Sequence, residues 1–171
     1  MYENKVWTLM DLPDDRQAIE NKSIFKRKTD ADSSVTIYKA RIVTKGFRQV
    51  QSVDYDEIFS LASMLKSVRI MLAIAAFYEI WQIDVKTAFL NGFIKEELYM
   101  MQLEGFVDPK GANKVCKLQR SIYGLVQASR SWNMRFDSVI KAYSFIQTCG
   151  EACIYKKVSG STTAFLISIC E

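Results

Sequence analysis

Residues 80–92 read IWQIDVKTAFLNG, and this stretch decides how the rest of the chain is interpreted. Four of its first six residues are bulky, apolar strand formers. Asp84 stands among them, although Asp is depleted in strands and rarely buried alone. A carboxylate at a strand end, followed by a tight turn, can present a metal ligand, and Mg²⁺ prefers such oxygens. The alternative is that Asp84 caps the following turn by accepting an N–H near Thr87.

The composition is that of an ordinary globular domain. The chain has 171 residues, of which 49% are hydrophobic and 25% charged, enough for one domain with a core. The longest clean apolar run, IMLAIAAF at 70–77, is far shorter than a membrane span. The N-terminus lacks the basic and apolar segments of a secretion signal. We therefore expect no membrane partner and an intracellular protein, cytoplasmic or nuclear and not secreted.

Histidine is absent, and the four cysteines are scattered. Without histidine, Ser-His-Asp and Cys-His catalytic sites and zinc sites with imidazole ligands are excluded. A four-thiolate zinc site needs two close pairs, and only Cys149 and Cys153 are close. The cysteines are therefore predicted to be reduced core residues.

Basic residues concentrate in two stretches. Residues 22–48 contain eight basic and two acidic residues, and residues 114–141 contain six basic residues and one acidic residue. Basic surface interleaved with aromatic residues suits a nucleic-acid phosphate backbone. The alternative is a pair of solvated faces, one on a strand and one on a helix.

Hydrophobic periodicity predicts a mixed α/β (α+β) fold with a mainly antiparallel sheet and helices on one face. The first twenty residues are predicted to be irregular. Helical spacing marks two helices, whereas alternation and turn residues mark the strands. The predicted helices are 63–78 and 129–143, and the predicted strands are 23–28, 35–44, 80–85, 98–103, 115–118, 152–158 and 163–169.

The stretch around Asp84 closely resembles the first catalytic motif of reverse transcriptases of copia-type LTR retrotransposons (the Pseudoviridae Pol polyprotein). Further blocks resemble the same family in the same order, so that the resemblance covers essentially the whole chain. These blocks are NKVWTLMDLP (4–13), IYKARIVTKGFRQ (37–49), VDYDEIFS (53–60), EELYMMQLEGF (96–106) and VCKLQRSIYGLVQASRSWN (115–133).

The resemblance implies the fingers and palm of a right-hand polymerase, as one domain over 1–171. Residues 1–62 would form the lead-in and fingers strands, and 63–171 a palm-like part with a terminal hairpin. The implied partners are dNTP and an RNA or DNA primer–template, with Mg²⁺ or Mn²⁺ as cofactor. Asp84 and the Val85 carbonyl would hold the metal. The residues implied to bind the nucleotide are Lys39, Arg41, Thr87, Ala88, Phe89 and Gln127; those implied to bind nucleic acid are Lys45, Arg48 and Arg130.

Phe89 would be the steric gate beneath the incoming sugar, and its alternative role is a core aromatic residue. The family's second carboxylate motif, Tyr-Val-Asp-Asp, falls where this chain reads ICE at 169–171. Glu171 thus stands at the first Asp position, where the resemblance makes it a further metal residue, with no second Asp after it in this sequence.

The departure at 169–171 predicts a fingers-and-palm fragment that ends before the thumb, lacks the rest of the Pol polyprotein and is catalytically inactive. In the parent protein the same domain would act in a virus-like particle. The alternatives are a non-catalytic nucleic-acid-binding remnant and a relic with no biochemical role. The oligomeric state stays open.

Overall fold

The computed structural model describes residues 5–29, 35–58 and 63–168. Within these ranges the strands form three sheets, accompanied by two α-helices and three short 3₁₀ helices. The strands are β1 (Trp7–Met10), β2 (Ala18–Ile19), β3 (Asn21–Thr29), β4 (Val35–Thr44), β5 (Tyr99–Met100), β6 (Val115–Leu118), β7 (Ile146–Thr148), β8 (Glu151–Ser159) and β9 (Thr162–Ile167). The helices are α1 (Leu65–Ala75) and α2 (Ala128–Ala142), and the 3₁₀ helices are Gly46–Arg48, Ala88–Asn91 and Pro109–Gly111.

The core lies on a four-stranded sheet in the order β1-β6-β5-β2. β6 pairs antiparallel with β1 and β5, and β2 pairs parallel with β5. β6 is paired on both edges, and three of its four residues are buried. A mostly apolar sequence suits such a covered strand. Leu98 and Met100 are completely buried here, and burial raises the pKa of the Cys116 thiol to about 11.

β3 and β4 form a separate antiparallel hairpin. Most of its described side chains are exposed, including the aromatic rings of Phe25 and Tyr38. Its base is attached to the core through Ile42, which packs against the buried cluster, and through Asn21, whose Nδ2 donates to the Met101 carbonyl at 2.7 Å.

The third sheet, β7-β8-β9, packs against α2 through aromatic rings. Phe136 contacts Trp132 at 5.7 Å and Tyr155 at 5.8 Å between ring centroids. The Tyr155 hydroxyl is buried and donates to Asp137 Oδ1 at 3.1 Å. Burial, followed by the nearby Asp137 carboxylate, raises the pKa of Tyr155.

α1 and the residues after it are exposed. No residue of α1, all of which lies in the described ranges, is fully buried. The helix is attached at its start, where the Met64 N–H donates to Glu151 Oε1 at 2.8 Å and the Ser63 hydroxyl donates to the Ser168 carbonyl at 2.7 Å. We call residues 77–85, which follow the helix, the apolar segment; its side chains stand mostly in solvent.

The predicted fold class is confirmed, since the described residues form a mixed α/β structure with mainly antiparallel pairing. The strand predicted at 80–85 is wrong, because these residues form no strand although all of them are described. The first twenty residues are not irregular throughout, because β1 and β2 pair with β6 and β5. Residues 30–34, between the predicted strands 23–28 and 35–44, lie outside the described residues.

Two further predictions are corrected at the level of side chains. Tyr143, the last residue of the predicted helix 129–143, lies after α2 and is exposed. Cys116 and Cys153 are buried as predicted, but Cys149 is exposed, and Cys170 lies outside the described residues. Neither described helix is long and apolar enough to cross a membrane.

Candidate functional site

Asp84 lies in the irregular connection between α1 and the 3₁₀ helix Ala88–Asn91. Its side chain is exposed, as is that of Val85. The residue preceding the 3₁₀ helix is Thr87, and no side chain caps this helix. The alternative that Asp84 serves as the cap is therefore wrong, and the carboxylate is open to solvent.

Thr87 adopts a left-handed backbone conformation, with φ 54° and ψ 42°. This conformation is costly for a β-branched residue. It is held by the Thr87 carbonyl, which accepts from the Leu90 N–H at 2.9 Å and from Asn91 Nδ2 at 3.2 Å. Ala88 begins the 3₁₀ helix and is half-buried. The turn predicted to support a triphosphate is thus a constrained one.

Phe89 and Arg41 meet at a third aromatic residue, Tyr123. Phe89 packs against the core and makes an edge-to-face contact with Tyr123, with ring centroids 5.0 Å apart. The guanidinium carbon of Arg41 lies 5.8 Å from the centre of the same ring. Two predicted site residues 48 positions apart in the sequence are therefore brought to one ring. Tyr123 lies within the block 115–133 that resembles the family, but no charge or spacing pattern assigned it a role of its own.

Tyr123 is positioned by a tight contact with the end of β4. Its carbonyl accepts from the Thr44 N–H at 2.8 Å and from the Thr44 hydroxyl at 3.1 Å. Gly124 follows with φ +90°, and a Cβ there would lie 2.2 Å from the Thr44 carbonyl oxygen. A Cβ on Gly46 would lie 1.9 Å from the Gly124 carbonyl oxygen. Only glycine permits this approach, which joins the hairpin to the core.

One face of the β3–β4 hairpin is strongly basic. Directly opposite residues of an antiparallel pair project to the same side, and side chains alternate along each strand. The register pairs Lys26 with Lys39 and Ile24 with Arg41. Lys22 and Lys28 lie on the same side of β3, at two-residue spacing from these positions. We call this surface, which includes the predicted residues Lys39 and Arg41, the basic hairpin face.

Lys45 and Arg48 both pair with Glu20. Lys45 Nζ contacts one carboxylate oxygen of Glu20, and Arg48 Nη1 contacts the other. The hydrogen bond from Lys45, together with the charges of both cations, holds the pKa of Glu20 below its usual value. Both residues, predicted to bind nucleic acid, are therefore paired with an acidic side chain. Sequence reasoning did not identify Glu20 as their partner.

Gln127 is 1% exposed. Its Oε1 accepts from Gln49 Nε2 at 3.1 Å, and its Nε2 donates to the Asp54 carbonyl at 3.0 Å. Gln49 Oε1 in turn accepts from the Val126 N–H at 2.9 Å. The Gln127 amide thus fixes the loop that follows the hairpin to the start of α2. Its predicted nucleotide contact stays a prediction.

Arg130 lies on the first turns of α2 and pairs with Glu57 Oε2 at 2.6 Å. It also lines a shallow groove that carries two further cations, Lys95 and Arg135. Glu96 also lines the groove, so its three cations are partly balanced by Glu96 and by Glu57. The predicted phosphate contact of Arg130 stays a prediction.

The described carboxylates do not complete a metal site. Among residues 5–29, 35–58 and 63–168, no three His, Cys, Asp or Glu residues are grouped so as to hold a metal ion. Asp84 therefore belongs to no such group among these residues, and Glu171 lies outside them. The described residues do not fit the two-ion site of a polymerase, which needs several carboxylate oxygens around two ions about 3.5–4 Å apart.

The profile of the family described as "Reverse transcriptase (RNA-dependent DNA polymerase)" matches residues 4–170. The chain belongs to this family. Its relatives further confirm the resemblance to copia-type retrotransposons. The Retrovirus-related Pol polyprotein from transposon TNT 1-94 of Nicotiana tabacum is 43% identical over 159 residues, covering 92% of this chain and 12% of that protein.

More distant relatives come from another plant and from yeast. The Retrovirus-related Pol polyprotein from transposon RE1 of Arabidopsis thaliana is 34% identical over 96% of this chain and 11% of its own length. The Transposon Ty1-BL Gag-Pol polyprotein of Saccharomyces cerevisiae is 30% identical over 84% of this chain and 8% of its own length. The chain thus spans a small part of these polyproteins. No solved structure matches it.

Proposed function

We propose that this chain is the fingers-and-palm portion of a retrotransposon RNA-directed DNA polymerase, with the fingers in 1–62 and the palm in 63–171. The parent enzyme would carry out template-directed nucleotidyl transfer. The family match over 4–170 supports this proposal. The convergence of Arg41 and Phe89 on Tyr123 supports it independently, since it joins the fingers hairpin to the turn after Asp84.

The role of residues 1–171 themselves is to bind a nucleic-acid duplex without catalysis. The observation that carries this proposal is the direct opposition of Lys26 and Lys39 on the basic hairpin face. Like charges opposite one another destabilise a strand pair, and a bound polyanion relieves that repulsion. Phosphate contacts of this kind are independent of sequence and weaken steeply with salt.

The test is the affinity for an RNA–DNA primer–template, measured by fluorescence anisotropy at several salt concentrations. The double variant Lys26→Glu/Lys39→Glu should lower affinity at least about tenfold and reduce the salt slope by about 2. The matched control Lys66→Glu/Lys110→Glu makes the same change in net charge at exposed lysines outside both basic stretches. We expect the control to retain most of the affinity. Equal losses in both variants, or no binding at low salt, would refute the proposed role of the hairpin.

Catalysis is not expected from residues 1–171 alone, because Glu171 stands where the resemblance places the first Asp of the second carboxylate motif, and the described carboxylates do not form a metal site. Phosphoryl transfer depends on metal charge and positioned cations, so an incomplete metal site removes most transition-state stabilisation. A primer-extension assay with Mg²⁺ or Mn²⁺ should show no incorporation above that of Asp84→Asn. Incorporation that this substitution abolishes would overturn the proposed inactivity.

In the parent enzyme, Asp84 and the Val85 carbonyl would hold a metal ion, and Lys39, Arg41, Thr87 and Ala88 would contact the incoming nucleotide. Phe89 would exclude a ribose 2′-hydroxyl. The Phe89 ring is half-buried and packs against Tyr123, which supports a role as a rigid steric barrier. Phe89→Ala in an active parent enzyme should raise ribonucleotide incorporation relative to deoxyribonucleotide incorporation, and an unchanged ratio would contradict this role.

A further inference from the structure

Glu20 lies at the core end of the basic hairpin face. The antiparallel register of β3 and β4 continues one pair past the strands, because the Lys45 N–H donates to the Glu20 carbonyl at 2.8 Å. By the alternation of side chains, Glu20 and Lys45 belong to the same row as Lys22 and as Lys26 opposite Lys39. Neither strand contains an acidic residue, so Glu20 is a lone carboxylate at the end of a row of cations.

The Glu20 carboxylate spans two cations. One of its oxygens contacts Lys45 Nζ and the other contacts Arg48 Nη1. A phosphate group can make the same arrangement, because two of its oxygens can accept from two cationic side chains. The cluster is open to solvent, since the side chains of Lys45 and Arg48 are 33% and 59% exposed and that of Glu20 is 32% exposed. A nucleic-acid phosphate that binds both cations must therefore take the place of the carboxylate.

The backbone around Lys45 and Arg48 is held without the Glu20 side chain. The Arg48 N–H donates to the Lys45 carbonyl and the Gln49 N–H donates to the Gly46 carbonyl, both at 2.9 Å, in addition to the bond from the Lys45 N–H to the Glu20 carbonyl. Partly exposed ion pairs contribute little to stability. The two cations would therefore keep their positions, at small cost, when the carboxylate moves away.

We propose that Glu20 limits the affinity of this chain for nucleic acid, because its carboxylate occupies Lys45 and Arg48 in the free chain and competes with a phosphate group for them. Binding exchanges the two ion pairs of Glu20 for two phosphate contacts, and the Glu20 side chain turns to solvent. The inference rests on the proposed nucleic-acid binding and assigns to one acidic residue the control of its strength.

The first test compares the affinity of the wild-type chain and of Glu20→Gln for an RNA–DNA primer–template, by fluorescence anisotropy at several salt concentrations. The substitution keeps the shape of the side chain and removes its charge. It should raise affinity roughly five- to tenfold near 0.1 M salt and steepen the salt slope by about 1. Glu97→Gln is the matched control, because Glu97 is also paired with a lysine, Lys117, and lies outside the hairpin. It should change affinity less than about twofold, since salt screens distant charges.

Three outcomes of this comparison would overturn the inference. Glu20→Gln could bind as the wild-type chain does, which would mean that phosphate does not compete with the carboxylate. It could bind more weakly, which would mean that Glu20 serves to position the two cations. Glu97→Gln could gain as much affinity as Glu20→Gln, which would mean that general repulsion accounts for both. Circular dichroism checks that both variants fold.

The second test is a double-mutant cycle that separates competition from repulsion at a distance. In the wild-type chain, Arg48→Gln should weaken binding only about twofold, because the lost phosphate contact is offset by the lost pair with Glu20. In the Glu20→Gln background the same substitution should weaken binding at least about fivefold. Equal losses in the two backgrounds would refute direct competition.

A third measurement uses the wild-type chain alone. The NMR resonance of the Glu20 carboxyl carbon should move when primer–template is added, because both oxygens exchange cations for water; a resonance unchanged at saturation would contradict the exchange. If Lys26→Glu/Lys39→Glu lowers affinity and Glu20→Gln does not alter it, the proposed function stands and this inference fails. Absence of binding at low salt by both the wild-type chain and Glu20→Gln would overturn the two together.

Discussion

The four-stranded core sheet and the α1 region are built from similar residues but differ completely in burial. Leu98 and Met100 are almost fully removed from water, whereas Leu72 in α1 and Ile83 in the apolar segment are mostly exposed. Both regions are rich in aliphatic and aromatic side chains. Hydrophobic composition therefore does not determine burial by itself; a strand or helix is buried only where another element covers it.

The difference lies in the number of partners each region has. β6 is paired on both edges, and its side chains meet those of β1 and β5. Among the described residues, α1 is hydrogen-bonded to the third sheet near its start, through Ser63, Met64 and Ser67, whose hydroxyl contacts Glu151. We expect substitutions in the two regions to differ accordingly in their effect on stability.

The largest contrast should come from the same substitution made in each region. Leu98→Ala removes a side chain that is 1% exposed and should lower the free energy of unfolding by about 3 kcal/mol. Leu72→Ala removes one that is 56% exposed and should cost under about 0.5 kcal/mol. Urea unfolding of both variants measures the difference. Comparable losses would mean that α1 is covered in solution.

The junction between the hairpin and the core should be the next most sensitive place. Gly124→Ala forces a Cβ to within 2.2 Å of the Thr44 carbonyl oxygen at a positive φ, and should cost about 2–3 kcal/mol. Gly105→Ala is a matched control, since Gly105 also has a positive φ but a Cβ added there would meet no atom within 4 Å. It should cost about 1 kcal/mol. Equal losses of thermal stability in the two variants would contradict the steric clash expected between a Cβ at residue 124 and the Thr44 carbonyl.

The hydrogen-bonded side chains of Gln49 and Gln127 test whether polar contacts fix the junction between the hairpin and the core. Gln127→Ala leaves the Gln49 amide without an acceptor in a buried site and should cost about 1–3 kcal/mol. Gln119→Ala, at an exposed position, should be nearly neutral. Denaturant unfolding distinguishes the two. An unchanged stability in Gln127→Ala would imply that water replaces the lost contact.

The smallest effect should be a dependence of stability on pH at Glu20. Its pKa is lowered in the folded state, chiefly by the hydrogen bond from Lys45, so its stabilising contribution is present above the usual value of 4.5. The contribution is lost as pH falls below that value and Glu20 takes up a proton. Glu20→Gln should flatten this part of the profile of stability against pH. Parallel profiles for the two proteins would show that the ion pairs contribute nothing.

Much of the fold could be predicted from the sequence where local pattern and final environment agree. The strands β4 and β6 occupy the predicted residues, and α2 begins and ends within one residue of its prediction. These elements carry strong periodicity and find partners in the molecule. β1 was missed because its four residues have little periodicity of their own, and its pairing with β6 joins positions as far apart as Trp7 and Leu118.

The strand predicted at 80–85 is the opposite case from β1: a strand was predicted where the structure has none. Its alternation is strong, but strand formation depends on backbone pairing with a neighbour, and sequence alternation does not supply the neighbour. At the candidate site, motif resemblance located Arg41 and Phe89 but not Tyr123, which brings them together. It also did not reveal that Lys45 and Arg48 share Glu20. Both relations depend on distances between segments remote in sequence.

The close contact of Gly46 with Gly124 lies at the base of the hairpin, so a small rotation there moves the far end of the strands much further. β4 is 10 residues long, so its first residue, Val35, lies roughly 30 Å from this base. A rotation of only about 10° at the base would carry Val35 about 5 Å, close to the spacing of successive phosphates along a nucleic-acid strand. A methyl group added at Gly46 or Gly124 would therefore displace Lys26 and Lys39 on the basic hairpin face further than the residues beside the contact.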